Sequence, residues 1–351
     1  MNGEQTEDAK ERARPRPAAY RALICITTCA RLESLQGFLP HFAAFCDEDP
    51  RFNLLVALDG TDPAYLRFCD EWEVPLVYSD EREGVGISKN RVLERHPDFD
   101  YYFFLDDDVE LLDGSVFPAH VDAARATGIH HFSLFQRGGV RKPTGESTVE
   151  GWRVVHGMFG GGQFNFFTGE GLRRVGGWHP RFAEFRRWGH TEHSYRFWRA
   201  GLAPAPFNVL EDLSESCIWH APPPVSVHKS IPSDEDELTP MERELIDEEL
   251  TFFPVTTLSA HHTNGKPFGR LRRLAALGRS PDRYPLLRGR ARRRAYSDFF
   301  LWKARHGRGA PSRLLSWIRA VTLWPGNPMI RHHLKGLLAG KGHSPPEGGA
   351  S

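Results

Sequence analysis

Tyr101-Tyr102-Phe103-Phe104-Leu105-Asp106-Asp107-Asp108-Val109 is an apolar run that ends abruptly in three carboxylates. Its aromatic and aliphatic residues, preceded by Pro97-Asp98 and followed by Asp113-Gly114, suit a short strand buried on both faces and are too few for a helix. Three adjacent aspartates at the end of such a strand repel one another. A hard divalent cation is the usual compensation, and a solvated acidic turn is the plainer alternative. Side chains alternate along a strand, so Asp106 and Asp108 are expected on one side and Asp107 on the other, facing away. Open α/β sheets bind ligands at the C-terminal ends of their strands, which favours a site.

Upstream, 22–28 reads as a buried strand, and 31–45 as a helix with Leu32, Leu35, Phe38, Leu39, Phe42 and Phe45 at helical spacing. A second strand at 53–58 stops at Asp59-Gly60, and a helix at 63–71 follows with Thr61 or Asp62 as cap. A third strand is expected at 76–78, and Gly84-Val85-Gly86 opens a helix at 87–95. This alternation predicts an α/β fold with a mostly parallel central sheet and flanking helices. Downstream, a helix is expected at 117–126, strands at 131–135 and 152–158 with a loop at 137–150 between them, a helix at 192–200, and strands at 205–209 and 215–219. From 233 onward the pattern is helical and amphipathic, with Thr239-Pro240 opening a helix to about 250.

The 351 residues allow one large domain or two ordinary ones. Five cysteines, an odd number with no Cys-x-x-Cys pair, predict free thiols in a reducing compartment and no zinc site. The N-terminal stretch is charged and lacks an apolar core, so neither a secretory signal nor a membrane span is expected there. The formal net charge of zero conceals an asymmetry: residues 261–351 carry 19 basic and 3 acidic side chains, and residues 1–260 carry 26 and 42. Three surfaces suit the basic part. It can pack on the acidic domain of its own chain or of a second copy in a homo-oligomer, or lie on an anionic membrane surface. Nucleic acid is the third, but no nucleic-acid motif is present.

The order of features is strand-Thr27-Thr28-x-x-Arg31, strand-Asp59, Gly84-x-Gly86-x-x-Lys89-Asn90, strand-Asp106-Asp107-Asp108, Gly176-Gly177-Trp178, Trp188-Gly189-x-x-Glu192 and Trp219-His220. Over residues 20–225 that order resembles the family 2 glycosyltransferases with the GT-A fold. The resemblance implies a nucleotide-sugar donor, with Thr27, Thr28, Arg31, Asp59, Gly86, Lys89, Asn90, Asp106 and Asp107 around it, Thr27, Thr28, Arg31 and Asp59 holding the base. It implies Mn²⁺ or Mg²⁺ on Asp108, with Asp106 nearer the ribose and the metal's water shell and His220 as a further ligand; an imidazole ligand favours manganese. A metal at a departing diphosphate stabilises the charge that grows as the glycosidic bond breaks. Glu192, at a helix opening, is the expected base for the acceptor hydroxyl, although a glutamate there also complements a helix N-terminus. Trp188 and His193 are expected at the acceptor; His193 stands where relatives carry a second acid, and His179 where they carry the acid of Gly-Gly-Phe-Asp.

The expectation is therefore a metal-dependent, inverting glycosyltransferase using a UDP-sugar and acting on a glycan, lipid-linked or other hydroxyl acceptor. It is expected in the cytoplasm or at the inner face of the membrane. Its parts are an arm at 1–19, the GT-A domain at 20–228, a basic helical extension at 229–342 and a tail at 343–351. Two other readings stay open: a sugar-phosphate nucleotidyltransferase, and a catalytically silent nucleotide-binding scaffold of the same fold.

Overall fold

The computed structural model describes residues 20–134, 141–185, 188–219, 246–248, 250–268, 297, 300–301, 304, 310–323, 325 and 330. Strands β1 (Ala22–Thr28) and β2 (Phe52–Leu58) are buried along their whole length, as continuous apolar runs covered on both faces should be. With β3 (Leu76–Ser79) and β4 (Tyr101–Asp106) they form four adjacent parallel strands in the order β3-β2-β1-β4. The connecting helices are α1 (Leu32–Glu48), α2 (Pro63–Glu71) and α3 (Val85–Arg95). Asp62 caps α2 as expected, its carboxylate accepting the Ala64 N–H at 2.8 Å with Pro63 in the first turn. Growth of the sheet runs from β1 through β2 to β3 and then switches to β4 on the other side of β1. A crevice opens at such a switch point, at the C-terminal ends of β1 and β4.

After β4 the chain forms β5 (Val109–Leu111), α4 (Val116–Thr127) and β6 (His131–Ser133). A hairpin of β7 (Arg141–Val149) and β8 (Trp152–Phe159) is followed by β9 (Phe164–Thr168), which pairs antiparallel with both β4 and β6. Three helices follow, α5 (Gly169–Val175), α6 (Pro180–Phe185) and α7 (Gly189–Arg199). Strands β10 (Phe207–Leu210) and β11 (Cys217–Trp219) then pair with β8 and β5. Phe103 anchors the core between β4, β9 and α4, its ring 5.0 Å from Phe117 and 4.9 Å from Phe166. All five cysteines are free. No helix among the described residues is long and apolar enough to cross a membrane.

Two expectations fail. The loop expected at 137–150 contains β7, which pairs with β8 through Glu150-Gly151, both at positive φ (49° and 85°), the backbone of a type I′ hairpin turn. Its exposed polar sequence, with Pro143 and Gly145, carries no alternation to betray it. Beyond 261 the expectation was helix, yet β12 (His261–Thr263) adds antiparallel to β3 at the edge of the main sheet. Asn264 fixes it there, accepting the Leu76 N–H at 3.0 Å and donating to the Val74 carbonyl at 3.0 Å. Phe253 exchanges backbone bonds with Val175 and Gly177. Residues in 250–268 thus reach the main sheet through β12 and the turn after α5 through Phe253.

A second apolar cluster joins Phe182 and Tyr195 to Ile246, Leu301, Ala320 and Ile330, with Trp188, Trp317 and Val321 packed against it. Helix α8 (Ala310–Leu323) contributes its buried side to this cluster. The arm at 1–19, most of the basic extension, most of the helix expected from Thr239 and the tail lie outside the described residues.

Candidate functional site

Thr27 and Asp106 are register partners at the ends of β1 and β4, and their side chains meet: Thr27 Oγ1 lies 3.2 Å from Asp106 Oδ1 and 3.0 Å from the Leu105 carbonyl. The next pair repeats the arrangement, Thr28 Oγ1 donating to Asp107 Oδ2 at 2.6 Å. Strand β4 ends at Asp106, so alternation no longer governs Asp107 and Asp108. Asp107 does not face away. Its other oxygen, Oδ1, lies 2.6 Å from Arg31 Nη2, and Arg31 Nη1 donates to Asp108 Oδ2 at 2.8 Å. One guanidinium therefore bridges two of the three acids. Burial pushes the carboxyl of Asp106 up to about 6 and that of Asp107 up to about 7, against the opposing pull of Lys89 and Arg31 respectively.

Tyr65, on α2, was not singled out by sequence. Its hydroxyl accepts the Arg31 backbone N–H at 2.7 Å and lies 3.4 Å from Thr28 Oγ1. The ring belongs to the buried face of α2, and only its polar tip, reaching toward the end of β1, signals a further role. Lys89 is buried, its ammonium 5.4 Å from the Trp178 ring centre and 5.9 Å from that of Phe104. Burial lowers its pKa, with the Asp106 charge opposing.

Asp59 closes the other wall. Its Oδ1 accepts the Glu83 and Gly84 N–H groups at 2.7 and 3.0 Å, and Arg91 Nη2 lies 3.7 Å away while bonding Glu83 at 2.7 Å. This carboxylate pins the loop in which Gly84, at φ 94°, enters α3, a backbone that favours glycine.

Three residues expected at ligands are occupied structurally. Asn90 accepts the Trp178 N–H at 2.7 Å and donates to the carbonyls of Trp178 and Thr256, both at 2.9 Å, so its amide tethers chain segments. His193 is fully buried, Nε2 bonded to the Gly176 carbonyl at 3.0 Å and ring stacked 4.2 Å from Trp178. Glu192 is 1% exposed and gripped by Arg196, Nε to Oε1 at 2.6 Å and Nη2 to Oε2 at 2.8 Å. Both oxygens of this carboxylate are thus engaged by Arg196. Gly86 packs closely on Trp178, since a Cβ there would lie 3.3 Å from that side chain. Trp188 stands at φ 62° before α7, its indole packed on the second apolar cluster. His220 lies outside the described residues.

The fit to a cation rests on Asp108, whose Oδ1 is buried without a hydrogen-bond partner. Among the described residues no group of three or more His, Cys, Asp or Glu side chains is arranged to hold a metal ion. Asp108 therefore offers one open oxygen, and Arg31 holds the other.

No family model matches the chain, and no curated protein matches it. Among solved structures, it is similar to the mannosyltransferase PcManGT from Pyrobaculum calidifontis, in complex with GDP-Man and Mn²⁺. That likeness has 13% identity and a TM-score of 0.43, covering 93% of this chain and 77% of that one. It is also similar to S. aureus TarS 1-349 in complex with UDP, at 11% identity and a TM-score of 0.43 over 55% of this chain and 58% of that one. The same protein in complex with UDP-GlcNAc gives 10% identity and a TM-score of 0.33 over 43% and 46%.

Proposed function

We propose that the chain is a glycosyltransferase that takes its sugar from a nucleotide diphosphate donor, a UDP-sugar in the first instance, and passes it to a hydroxyl acceptor. The observation that carries this reading is the meeting of Thr27, Thr28, Arg31, Asp106, Asp107 and Asp108 at the switch point between β1 and β4. Ligands of open α/β sheets sit in such crevices, and the ordered motifs around it resemble those of the family.

The donor's diphosphate needs positive charge as the sugar leaves, and Arg31 brings a fixed cation to these strand ends. Asp106, beside Thr27, suits a ribose hydroxyl. Asp59 holds the loop that opens α3 and leaves that helix N-terminus presented to an anion. Asp108, with Asp106 behind it, would hold a divalent cation, Mn²⁺ or Mg²⁺, which when bound would stabilise negative charge on the departing diphosphate. Inversion through Glu192 is not part of the proposal, because Arg196 closes its carboxylate.

The test incubates the full chain with Mn²⁺ and a panel of nucleotide-sugars. Slow hydrolysis of one donor is expected, abolished in Asp108→Ala. An unchanged rate in that variant overturns the site, and no turnover or binding of any donor overturns the function.

A further inference from the structure

Helix α7 opens with three side chains able to take up a proton, His190, Glu192 and His193, and the fold commits two of them. Glu192 is gripped by Arg196 at both oxygens, and His193 is fully buried with Nε2 on the Gly176 carbonyl. His190 is partly exposed, and among the described residues its ring bonds only through Nε2, to the Gly160 carbonyl at 3.1 Å. A carbonyl oxygen only accepts, so Nε2 carries the hydrogen and the neutral ring keeps its lone pair on Nδ1. Burial, with the Lys89 charge adding to it, lowers the pKa to about 4 and keeps the ring uncharged at neutral pH. Gly162 decides what covers Nδ1: a Cβ there would lie 2.8 Å from both Cγ and Nδ1 of His190. The missing side chain leaves a space at hydrogen-bonding distance from that nitrogen, and Asn165 holds the glycine in place by donating to its carbonyl at 2.6 Å. The space adjoins the strand ends. The next residue, Gln163, accepts the Asp106 N–H at 2.9 Å, and the Lys89 charge acts on both Asp106 and His190.

We propose that His190 is the base that takes the acceptor's proton, its Nδ1 receiving it in the space beside Gly162. The proposal rests on the glycosyltransferase reading above and supplies the proton acceptor that Glu192, closed by Arg196, does not. In the step, the acceptor oxygen forms a bond to the anomeric carbon. The bond from that carbon to the diphosphate oxygen breaks with its electron pair leaving on the diphosphate, and the hydroxyl proton moves to Nδ1. His190 becomes an imidazolium whose Nε2–H stays on Gly160, and the neutral ring returns when a proton is lost to solvent. A ring of low pKa is a weak base in the free protein. The negative charge of a bound nucleotide diphosphate opposes burial and Lys89 and raises that pKa toward the working pH. The bond to Gly160 fixes the tautomer and the ring's orientation before the acceptor arrives, so little ordering is left to the reaction itself.

The experiment uses water as the acceptor, since the same base activates it. The full chain is incubated with Mn²⁺ and the nucleotide-sugar it hydrolyses fastest, as wild type, His190→Ala and His190→Gln. His190→Ala should lower kcat for hydrolysis about 10²-fold and leave the donor KM within about twofold of wild type. Added imidazole should raise the rate of His190→Ala at least about tenfold and leave wild type unchanged. His190→Gln keeps an N–H for the Gly160 carbonyl but has no basic nitrogen. It should lose the rate alike, gain nothing from imidazole, and keep the wild-type thermal midpoint, which guards against misfolding of the alanine variant. If both variants hydrolyse the donor at the wild-type rate while Asp108→Ala does not, the base assignment is overturned and the function stands. A rate lost together with donor affinity, or one that imidazole does not restore, makes His190 a packing residue and overturns the assignment as well. If the wild-type chain hydrolyses no donor, the function proposed above falls and this inference falls with it.

Discussion

Replacing Glu192 separates a buried structural ion pair from a catalytic base. The Glu192 side chain is 1% exposed and that of Arg196 is 0% exposed, two contacts of 2.6 and 2.8 Å joining them. Arg196 also donates to the Val175 carbonyl at 3.0 Å and the Gly177 carbonyl at 2.7 Å, so the pair ties α7 to the turn after α5. Glu192→Ala strands a buried guanidinium whose two carbonyl bonds do not neutralise its charge, a loss of about 3–5 kcal/mol. Glu192→Gln keeps a neutral acceptor and should cost less, about 1–3 kcal/mol. Replacing both partners with apolar residues of similar volume, Glu192→Leu with Arg196→Met, should cost far less than the two single changes summed, with a coupling of roughly 2 kcal/mol. Urea unfolding with linear extrapolation reads wild type, Glu192→Ala, Glu192→Gln, the singles Glu192→Leu and Arg196→Met and their double variant, the slope confirming that the same surface is exposed. If Glu192→Ala costs under about 1 kcal/mol while abolishing transfer, the carboxylate is not held by Arg196 in solution and the reasoning is wrong.

His120 and His131 are fully buried and burial pushes both down to about 4 from 6.5. The unfolded chain protonates first, so their contribution is whole above pH 6.5 and is lost as pH falls toward 4. The loss at pH 5 is roughly 2 kcal/mol per ring; urea midpoints at pH 7 and pH 5 should show it, and His120→Leu should flatten the fall. Gly176 has φ 82°, and a Cβ there would lie 1.8 Å from the Phe253 carbonyl oxygen. Gly176→Ala should therefore destabilise by about 3 kcal/mol or more through backbone strain and forced separation, a thermal midpoint unchanged from wild type excluding that contact. Tyr65→Phe removes the acceptor for the Arg31 N–H and should cost about 1 kcal/mol while weakening UDP binding. Unchanged affinity would show that Arg31 holds its place without Tyr65.

What the chain made legible was the part written in continuous patterns. The apolar runs of β1, β2 and β4 and the helical spacing of α1 can be satisfied in few ways, and the parallel centre with acids at a strand end followed from them. The ordered motifs then marked Thr27, Thr28, Arg31 and the three aspartates, which the fold does gather. Side-chain commitments were not legible, because a polar residue's type says what it can bond and not which partner reaches it first. Glu192, Asn90 and His193 have the chemistry of ligand-facing residues, yet Arg196, Trp178 and Gly176 claim them. β7 and β12 were hidden because their partners lie on other strands, and exposed polar strands carry no period. The same holds for the opening stretch: alternation was a sound rule up to Asp106, where β4 stops, and beyond it the position of Arg31 decides which way Asp107 and Asp108 face.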